Sequence, residues 1–225
     1  MNDLRLVVFD VDGTLVDSQG DILGAMAAAF GGLDLPVPPR AAVLDIVGLS
    51  LDHAMVRLAP DLSHATQAEL VRRYRAAFAD LRTRRGAAES APLYPGARAA
   101  LARLAAAPEV LLGVATGKSR RGLDAVLSAH GLAHHFVTQQ VADHHPSKPH
   151  PAMLQAALAE TGVAPERAVM VGDTRYDIEM ARAAGVRSVG VRWGYQAETA
   201  LGRADVQAVR FAELPGLIEA LWEVA

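Results

Sequence analysis

Short apolar runs rich in β-branched residues alternate along this chain with longer stretches of helical periodicity. RLVVFD (5–10), VLLGVAT (110–116), FVT (136–138), AVMVGD (168–173) and RSVGVR (187–192) lack polar alternation, which marks strands buried on both faces. Between and after them, apolar positions recur at helical spacing near residues 97–107, 119–130, 151–161, 175–184 and 214–224. Gly131, Gly162 and Gly185 stand where helix C-termini take a left-handed residue. The alternation predicts an α/β fold: a doubly wound, mainly parallel sheet (a Rossmann-like core) with helices on both faces. Ligands of such sheets sit beyond the carboxyl ends of the strands.

One stretch interrupts the alternation. Residues from about 20 to 88 hold several helical patterns and no convincing strand. The clearest pattern runs from Thr66 to Arg85, where Leu70, Tyr74, Ala77, Phe78 and Leu81 share a face and Thr66 and Glu69 have capping-box spacing. The expected organisation is an α/β catalytic core from residues 1–18 and 89–225, with an inserted α-helical cap at residues 19–88. The chain enters the insertion near Asp17–Gly20 and leaves it near Gly86–Pro95, both at the edge of the expected site. That placement suits a lid.

Composition narrows the class. At 225 residues the chain has room for one main domain with an insertion, and 51% apolar residues supply a substantial core. No apolar run approaches the roughly 18 residues that a membrane span requires. The first residues carry no signal-peptide pattern, and the absence of cysteine excludes disulfides and thiol chemistry. The expected compartment is cytoplasmic. A formal net charge of −3 with no basic block gives no electrostatic footprint for nucleic acid.

The residues that carry chemistry gather at the predicted strand ends. VVFDVDGTLVDS (7–18) closes a buried strand with Asp10 and Asp12, whose side chains would share one side if the strand continued. Two like charges so placed repel each other and raise one pKa unless a cation intervenes. A cluster of hard oxygens suits Mg²⁺, which takes one or two carboxylates, carbonyls and waters and leaves room for a phosphate oxygen. Asp173 offers a further carboxylate from a neighbouring strand. Asp177, one helical turn later, can hold metal-bound water or orient Lys148. Gly13 permits a sharp turn and close approach to a ligand, and Thr14 offers a hydroxyl and an amide. Thr116 and Gly117 precede a helix whose free amides can hold phosphate oxygens.

Phosphoryl transfer needs an in-line nucleophile, neutralised equatorial oxygens and a proton for the leaving group. Asp10 suits the nucleophile, forming an acyl phosphate that water discharges. Asp12 suits the acid that protonates the leaving alkoxide and the base that then activates water. Lys148 supplies the charge that lets one anion approach another. The expected partner is a small phosphorylated metabolite.

DVDGT, VATGK, SKPHP and GDTRYD, in that order over residues 10–177, resemble the four motifs of the haloacid dehalogenase superfamily. The helical insertion resembles that superfamily's cap between the first two motifs, and VRWGY (191–195) resembles its phosphoglycolate phosphatase-like branch. The resemblance covers nearly the whole chain. It implies a Mg²⁺-dependent phosphatase for a small, phosphoglycolate-like phosphomonoester, acting through an aspartyl-phosphate. It also implies that Asp10 is nucleophile and metal ligand, that Asp12 is acid/base and lends its backbone carbonyl to the metal, and that Asp173 is the third protein ligand. Thr116 and Lys148 would bind phosphate, and Asp177 would support the site.

Taken singly, these residues have plainer readings. Asp-x-Asp-Gly-Thr also makes turns, threonines such as Thr116 cap helices, most lysines are solvated, and Asp173-Thr174 could simply start a helix. Their joint order carries the reading. GVATGKS (113–119) departs from a Walker A loop because Gly113 and Gly117 are one residue too close, leaving Lys118 and Ser119 as substrate contacts or a solvated helix start. His130 and His134 have helical spacing, but Gly131 breaks the helix between them, so surface positions are expected rather than zinc ligands. His144, His145 and His150 flank Lys148, either as loop residues or near the phosphate entrance. In the cap, His53, Arg57, Arg72, Arg73 and Arg75 are candidates for a substrate carboxylate or second phosphate.

Two rival functions share much of the pattern. A β-phosphoglucomutase-type phosphomutase is similar in cap and motifs, but its phosphoenzyme must prefer a sugar hydroxyl to water. A phospho-accepting, receiver-like signalling module also groups Asp, Thr and Lys around Mg²⁺ on a doubly wound sheet, yet its modified Asp follows the third strand without a helical insertion. Dehalogenation has no need of Asp12. Phosphonate cleavage in this family uses a cap lysine, whereas Lys118 and Lys148 are the chain's only lysines.

Overall fold

The apolar runs form a six-stranded, all-parallel sheet in the computed structural model, which describes residues 4–223. The strands are β1 (Arg5–Phe9), β2 (Val110–Thr116), β3 (Phe136–Val141), β4 (Ala168–Gly172), β5 (Arg187–Val191) and β6 (Val206–Ala208). They lie in the order β3-β2-β1-β4-β5-β6. Side chains alternate across β1, so Val7 and Phe9 enter one apolar core while Leu6 and Val8 enter another on the opposite face. A strand with two buried faces leaves no position for a polar residue. β6 was not apparent in the sequence, because three residues at a sheet edge are too few for a periodic pattern.

Between β1 and β2 the chain forms α1 (Gln19–Gly31), α2 (Arg40–Asp45), α3 (Leu51–Leu58), α4 (His64–Arg85) and the short α5 (Ala87–Ser90). Met26, Phe30, Leu44, Met55 and Leu70 are buried in an apolar cluster of their own there. The start of α4 corrects the sequence reading. Ser63 caps it by accepting the Thr66 N–H at 3.2 Å, while the Glu69 carboxylate is taken by Arg72 Nε and Arg73 Nε, each at 2.7 Å. Two guanidiniums on the following turn draw the carboxylate away from the helix start. The outgoing and returning chains run side by side. Asp17 N donates to Pro92 O at 2.9 Å and Tyr94 N to Leu15 O at 3.0 Å.

Helices α6 (Ala97–Ala105), α7 (Arg120–His130), α8 (Ala152–Thr161), α9 (Arg175–Ala183) and α10 (Leu214–Glu223) complete the core. Leu101 of α6, Leu123 of α7 and Ile218 of α10 pack with Val7 and Phe9, while Met153 of α8 and Met180 of α9 pack with Leu6 and Val8. α7 and α8 end at Gly131 and Gly162, with φ +64° and +67°, where a side chain would strain the backbone. Residue 224, the expected end of the last helix, lies outside the described residues. Among the described residues, no helix is long and apolar enough to cross a membrane.

Candidate active site

β1 lies between β2 and β4, so the residues at and just after their carboxyl ends converge: Asp10, Thr116 and Asp173. Lys148 joins them from the loop between β3 and α8, and Asp177 from the first turn of α9. All five are at most 1% exposed. Lys148 Nζ lies 2.9 Å from Asp10 Oδ1 and donates to Asp177 Oδ1 at 2.6 Å. The other Asp177 oxygen accepts from Thr174 N at 3.1 Å and Thr174 Oγ1 at 2.7 Å, closing the capping box of α9. Asp177 thereby uses both oxygens to anchor Lys148 to the helix. Asp173 is fixed by Thr14 Oγ1, which donates to its Oδ1 at 3.0 Å, and by Tyr195 N, which donates to its Oδ2 at 2.8 Å.

Asp10 is held differently. Beyond the ion pair with Lys148, neither buried carboxylate oxygen has a hydrogen-bond partner among the described residues. Burial pushes the Asp10 pKa up to about 7, with Lys148 opposing the rise and Asp177 adding to it. Burial, reinforced by Asp10 and Asp177, also lifts Asp173 well above the usual carboxylate range. Burial pulls Lys148 downward, but the Asp10 and Asp177 carboxylates outweigh it and hold its pKa above that of an ordinary lysine.

One oxygen each from Asp10, Asp173 and Asp177 lies within 4.8 Å of the others. When all three are ionised, three carboxylates against one ammonium carry two surplus negative charges, which is why burial favours the protonated forms of Asp10 and Asp173 without a further cation. Hard oxygen donors, that charge and the unpartnered Asp10 oxygens together fit a divalent cation.

The two aspartates of the first motif do not face one shared cation. β1 ends at Phe9 and the chain turns at Gly13, with φ +82°, so strand alternation stops before Asp12. The Asp12 carboxylate turns to Lys118, whose Nζ donates to its two oxygens at 2.6 and 2.8 Å, and it also accepts from the Ser18 hydroxyl. Each aspartate has its own lysine. The Lys118 side chain is 9% exposed, not the solvated helix start that was one of its two readings. A usable signal was present: the chain's only two lysines, among 22 basic residues, are these two.

The remaining expected residues lie around this pair. The Thr116 hydroxyl accepts the Lys118 N–H at 3.2 Å, while Ser119 caps α7 by accepting from Gly122 N at 3.2 Å. Capping is thus not the task of Thr116. Gly13 passes so close to Asp173 that any Cβ there would collide with the carboxylate. A Cβ on Gly117 would lie 2.7 Å from Gly48 O and 2.6 Å from Leu49 O, in the connection between α2 and α3. Sequence reasoning missed Ser18, Trp193 and Tyr195 as site residues. Trp193 Nε1 donates to Thr14 O at 3.0 Å, and Ser18 N donates to Tyr195 Oη at 2.7 Å, tying the first motif to the segment after β5.

A cavity of about 280 Å³ opens on Asp10, Asp12, Thr116 and Gly117 and reaches Met26, Tyr74 and Phe78 of the insertion. Of the cap candidates, Arg75 borders it; His53 bonds Ser50, Arg57 lies 4.0 Å from Asp45, and Arg72 and Arg73 hold Glu69. His130 bonds the Ala91 carbonyl and the His134 ring lies tilted against His135, with centroids 4.1 Å apart, away from the described carboxylate cluster. His145 bonds Gln140, His150 accepts from Ala152 N, and neither they nor His144 border the cavity.

An open parallel sheet thus gathers buried carboxylates and a lysine at its strand ends, the place where ligands of such sheets bind. The model of the haloacid dehalogenase-like hydrolases matches residues 7–191, and the chain belongs to that family. It is 35% identical over 227 residues, 98% of this chain and 96% of the relative, to a protein of Dickeya dadantii (strain 3937) named "Probable phosphatase IndB". It is 34% identical over 211 residues to the phosphoglycolate phosphatase of Escherichia coli K12, covering 86% of this chain and 83% of that protein. Among solved structures, a haloacid dehalogenase-like family hydrolase of Streptococcus pneumoniae superposes with a TM-score of 0.81 at 26% identity, over 96% of this chain and 99% of that one. The β-phosphoglucomutase of Clostridium difficile shares the fold, with a TM-score of 0.83 at 16% identity. The protein is an enzyme, a phosphatase of the haloacid dehalogenase-like type.

Proposed function

We propose that the protein hydrolyses a small phosphomonoester through a phosphorylated Asp10, with Mg²⁺ as cofactor. The carrying observation is the Asp10 carboxylate, which is buried at the cavity floor with the Lys148 ammonium 2.9 Å from one oxygen and no further hydrogen-bond partner among the described residues. A carboxylate so presented is free to attack.

Asp10 and Asp173 would hold the ion with the main-chain carbonyl of Asp12, since both Asp177 oxygens are committed to Lys148 and Thr174. When bound, Mg²⁺ neutralises phosphate oxygens and the surplus carboxylate charge. Lys148 and Thr116, with the amides after β2, receive the remaining phosphate oxygens. An Asp10 oxygen bonds to phosphorus as the bond to the alcohol oxygen breaks, and Asp12 gives that oxygen a proton. Water then attacks the phosphorus of the acyl phosphate, Asp12 takes its proton, and inorganic phosphate leaves with the Asp10 carboxylate restored. Lys118 grips both Asp12 oxygens in the resting arrangement, so it must release at least one for this proton traffic.

Residues 19–88 act in this reading as a cap that closes over the bound ester and excludes bulk water. The paired connections at Asp17 and Pro92 supply a narrow hinge for it. A cysteine-free chain acting on a small phosphorylated metabolite suits the cytoplasm. Phosphoglycolate, named in the relatives, is the reference substrate with which to begin.

The test is phosphate release by purified protein, with Mg²⁺ and with excess chelator, for the wild type and Asp10→Asn. Turnover should require the metal and disappear in the variant. Undiminished activity in either condition would overturn the mechanism, and release that depends on an added acceptor sugar would favour the mutase.

A further inference from the structure

The cavity above Asp10 continues from the strand ends onto an apolar face of the helical insertion. Its volume, about 280 Å³, approaches the lower end of small-ligand pockets. Phosphate and metal, bound as proposed at Asp10, Asp12 and Thr116, would occupy the floor. The remainder, where the alcohol must lie, is walled by Ile22, Met26, Val47, Leu51, Tyr74 and Phe78. The Tyr74 and Phe78 rings stack at 5.8 Å with 26° between their planes, giving a flat aromatic side. The Tyr74 hydroxyl is engaged by no described residue, so it offers one polar handle inside an apolar wall.

The six wall residues offer a carboxylate no counter-charge, and the cations lie elsewhere on the cavity border. Arg75, the candidate counter-charge, already lies 3.9 Å from the Asp52 carboxylate. Arg82 and Arg121 also border the cavity, without an ion-pair partner among the described residues. They are the groups that would favour a carboxylated substrate if charge rather than the apolar wall governed selection.

We propose that the enzyme selects phosphate monoesters whose alcohol carries an apolar, ring-sized body seated against Tyr74 and Phe78, over esters of short carboxylated alcohols. This selectivity rests on the phosphatase reading and names its substrate class.

The test compares kcat/KM for ethyl, butyl and 2-phenylethyl phosphate and for phosphoglycolate, from released phosphate with Mg²⁺. The first three are esters of primary alcohols of similar basicity, so differences among them report the pocket rather than the leaving group. The expected order is 2-phenylethyl above butyl above ethyl. The 2-phenylethyl ester should exceed both ethyl phosphate and phosphoglycolate by about tenfold or more, since one well-seated methylene is already worth about tenfold. Phe78→Ala and Leu51→Ser should each lower the phenylethyl-to-ethyl ratio by about threefold or more. Phosphoglycolate or ethyl phosphate turning over as fast as the 2-phenylethyl ester would overturn the selectivity and leave the phosphatase reading standing. No phosphate from any ester, p-nitrophenyl phosphate included, would overturn the phosphatase reading and this inference with it.

Discussion

Asp10→Asn should make the metal-free protein more stable at pH 8 while destroying its activity. The Asp10 pKa stands at about 7 in the folded protein, above the 3.8 of an ordinary aspartate, chiefly because burial disfavours the charged form. Folding therefore favours the protonated acid. The stability this contributes is fully present below about pH 4 and is lost as pH rises through the folded value. At about 1.4 kcal/mol per pKa unit, the loss at pH 8 amounts to about 4 kcal/mol, and Asp173 adds to it in the same direction. Asparagine does not ionise and escapes the Asp10 share. For a chain of this size, 1 kcal/mol moves the melting temperature by roughly 2–4 °C, so variant and wild type should separate by about 10 °C at pH 8.

Near pH 4 the two should melt together. Mg²⁺ should recover the lost stability of the wild type at pH 8, and do far less at pH 5 or in the variant. Thermal melts at pH 4, 5 and 8, with chelator and with Mg²⁺, provide the assay. Parallel pH dependence in the two proteins, or equal Mg²⁺ stabilisation of both, would refute burial of an uncompensated carboxylate as the cause.

Other substitutions probe the supports around Asp10. Lys148→Met removes the ammonium between Asp10 and Asp177 and should cost about 10²–10³ in kcat, measured by steady-state phosphate release. Asp177→Asn acts through Lys148 and should cost about 10–100-fold, with the loss in kcat exceeding any rise in KM. Gly117→Ala places a methyl against the Gly48 and Leu49 carbonyls and should hinder seating of the insertion, lowering kcat/KM by about tenfold with little change in melting temperature. Lys118→Met releases the Asp12 carboxylate and should lower kcat by about tenfold or more, while Lys118→Arg, which keeps the charge, should retain more activity.

Much of the architecture was legible along the chain. Strands buried on both faces must be apolar throughout, which is why β1, β2 and β4 stand out, and a parallel sheet puts their carboxyl ends together. Asp10, Thr116 and Asp173 meet for that reason alone. β6 stayed hidden because its three residues form an edge rather than a core. The start of α4 was misread because spacing shows which residues can cap a helix, not which competing partner a carboxylate will choose.

The division follows the range of the forces involved. Local pattern along the chain determined the fold class, the run of helices after the first strand and the end of the sheet where charged residues gather. Tertiary structure alone decided how those charges pair. Lys148 on Asp10 and Asp177, and Lys118 on Asp12, join residues up to 138 and 106 positions apart, and no periodicity encodes such contacts. The outcome depends on where a turn at Gly13 swings one side chain and on which cation waits there. The apolar roof of the cavity was equally beyond a linear reading, because it exists only where α1, the α2–α3 connection and α4 face the strand ends across folded space.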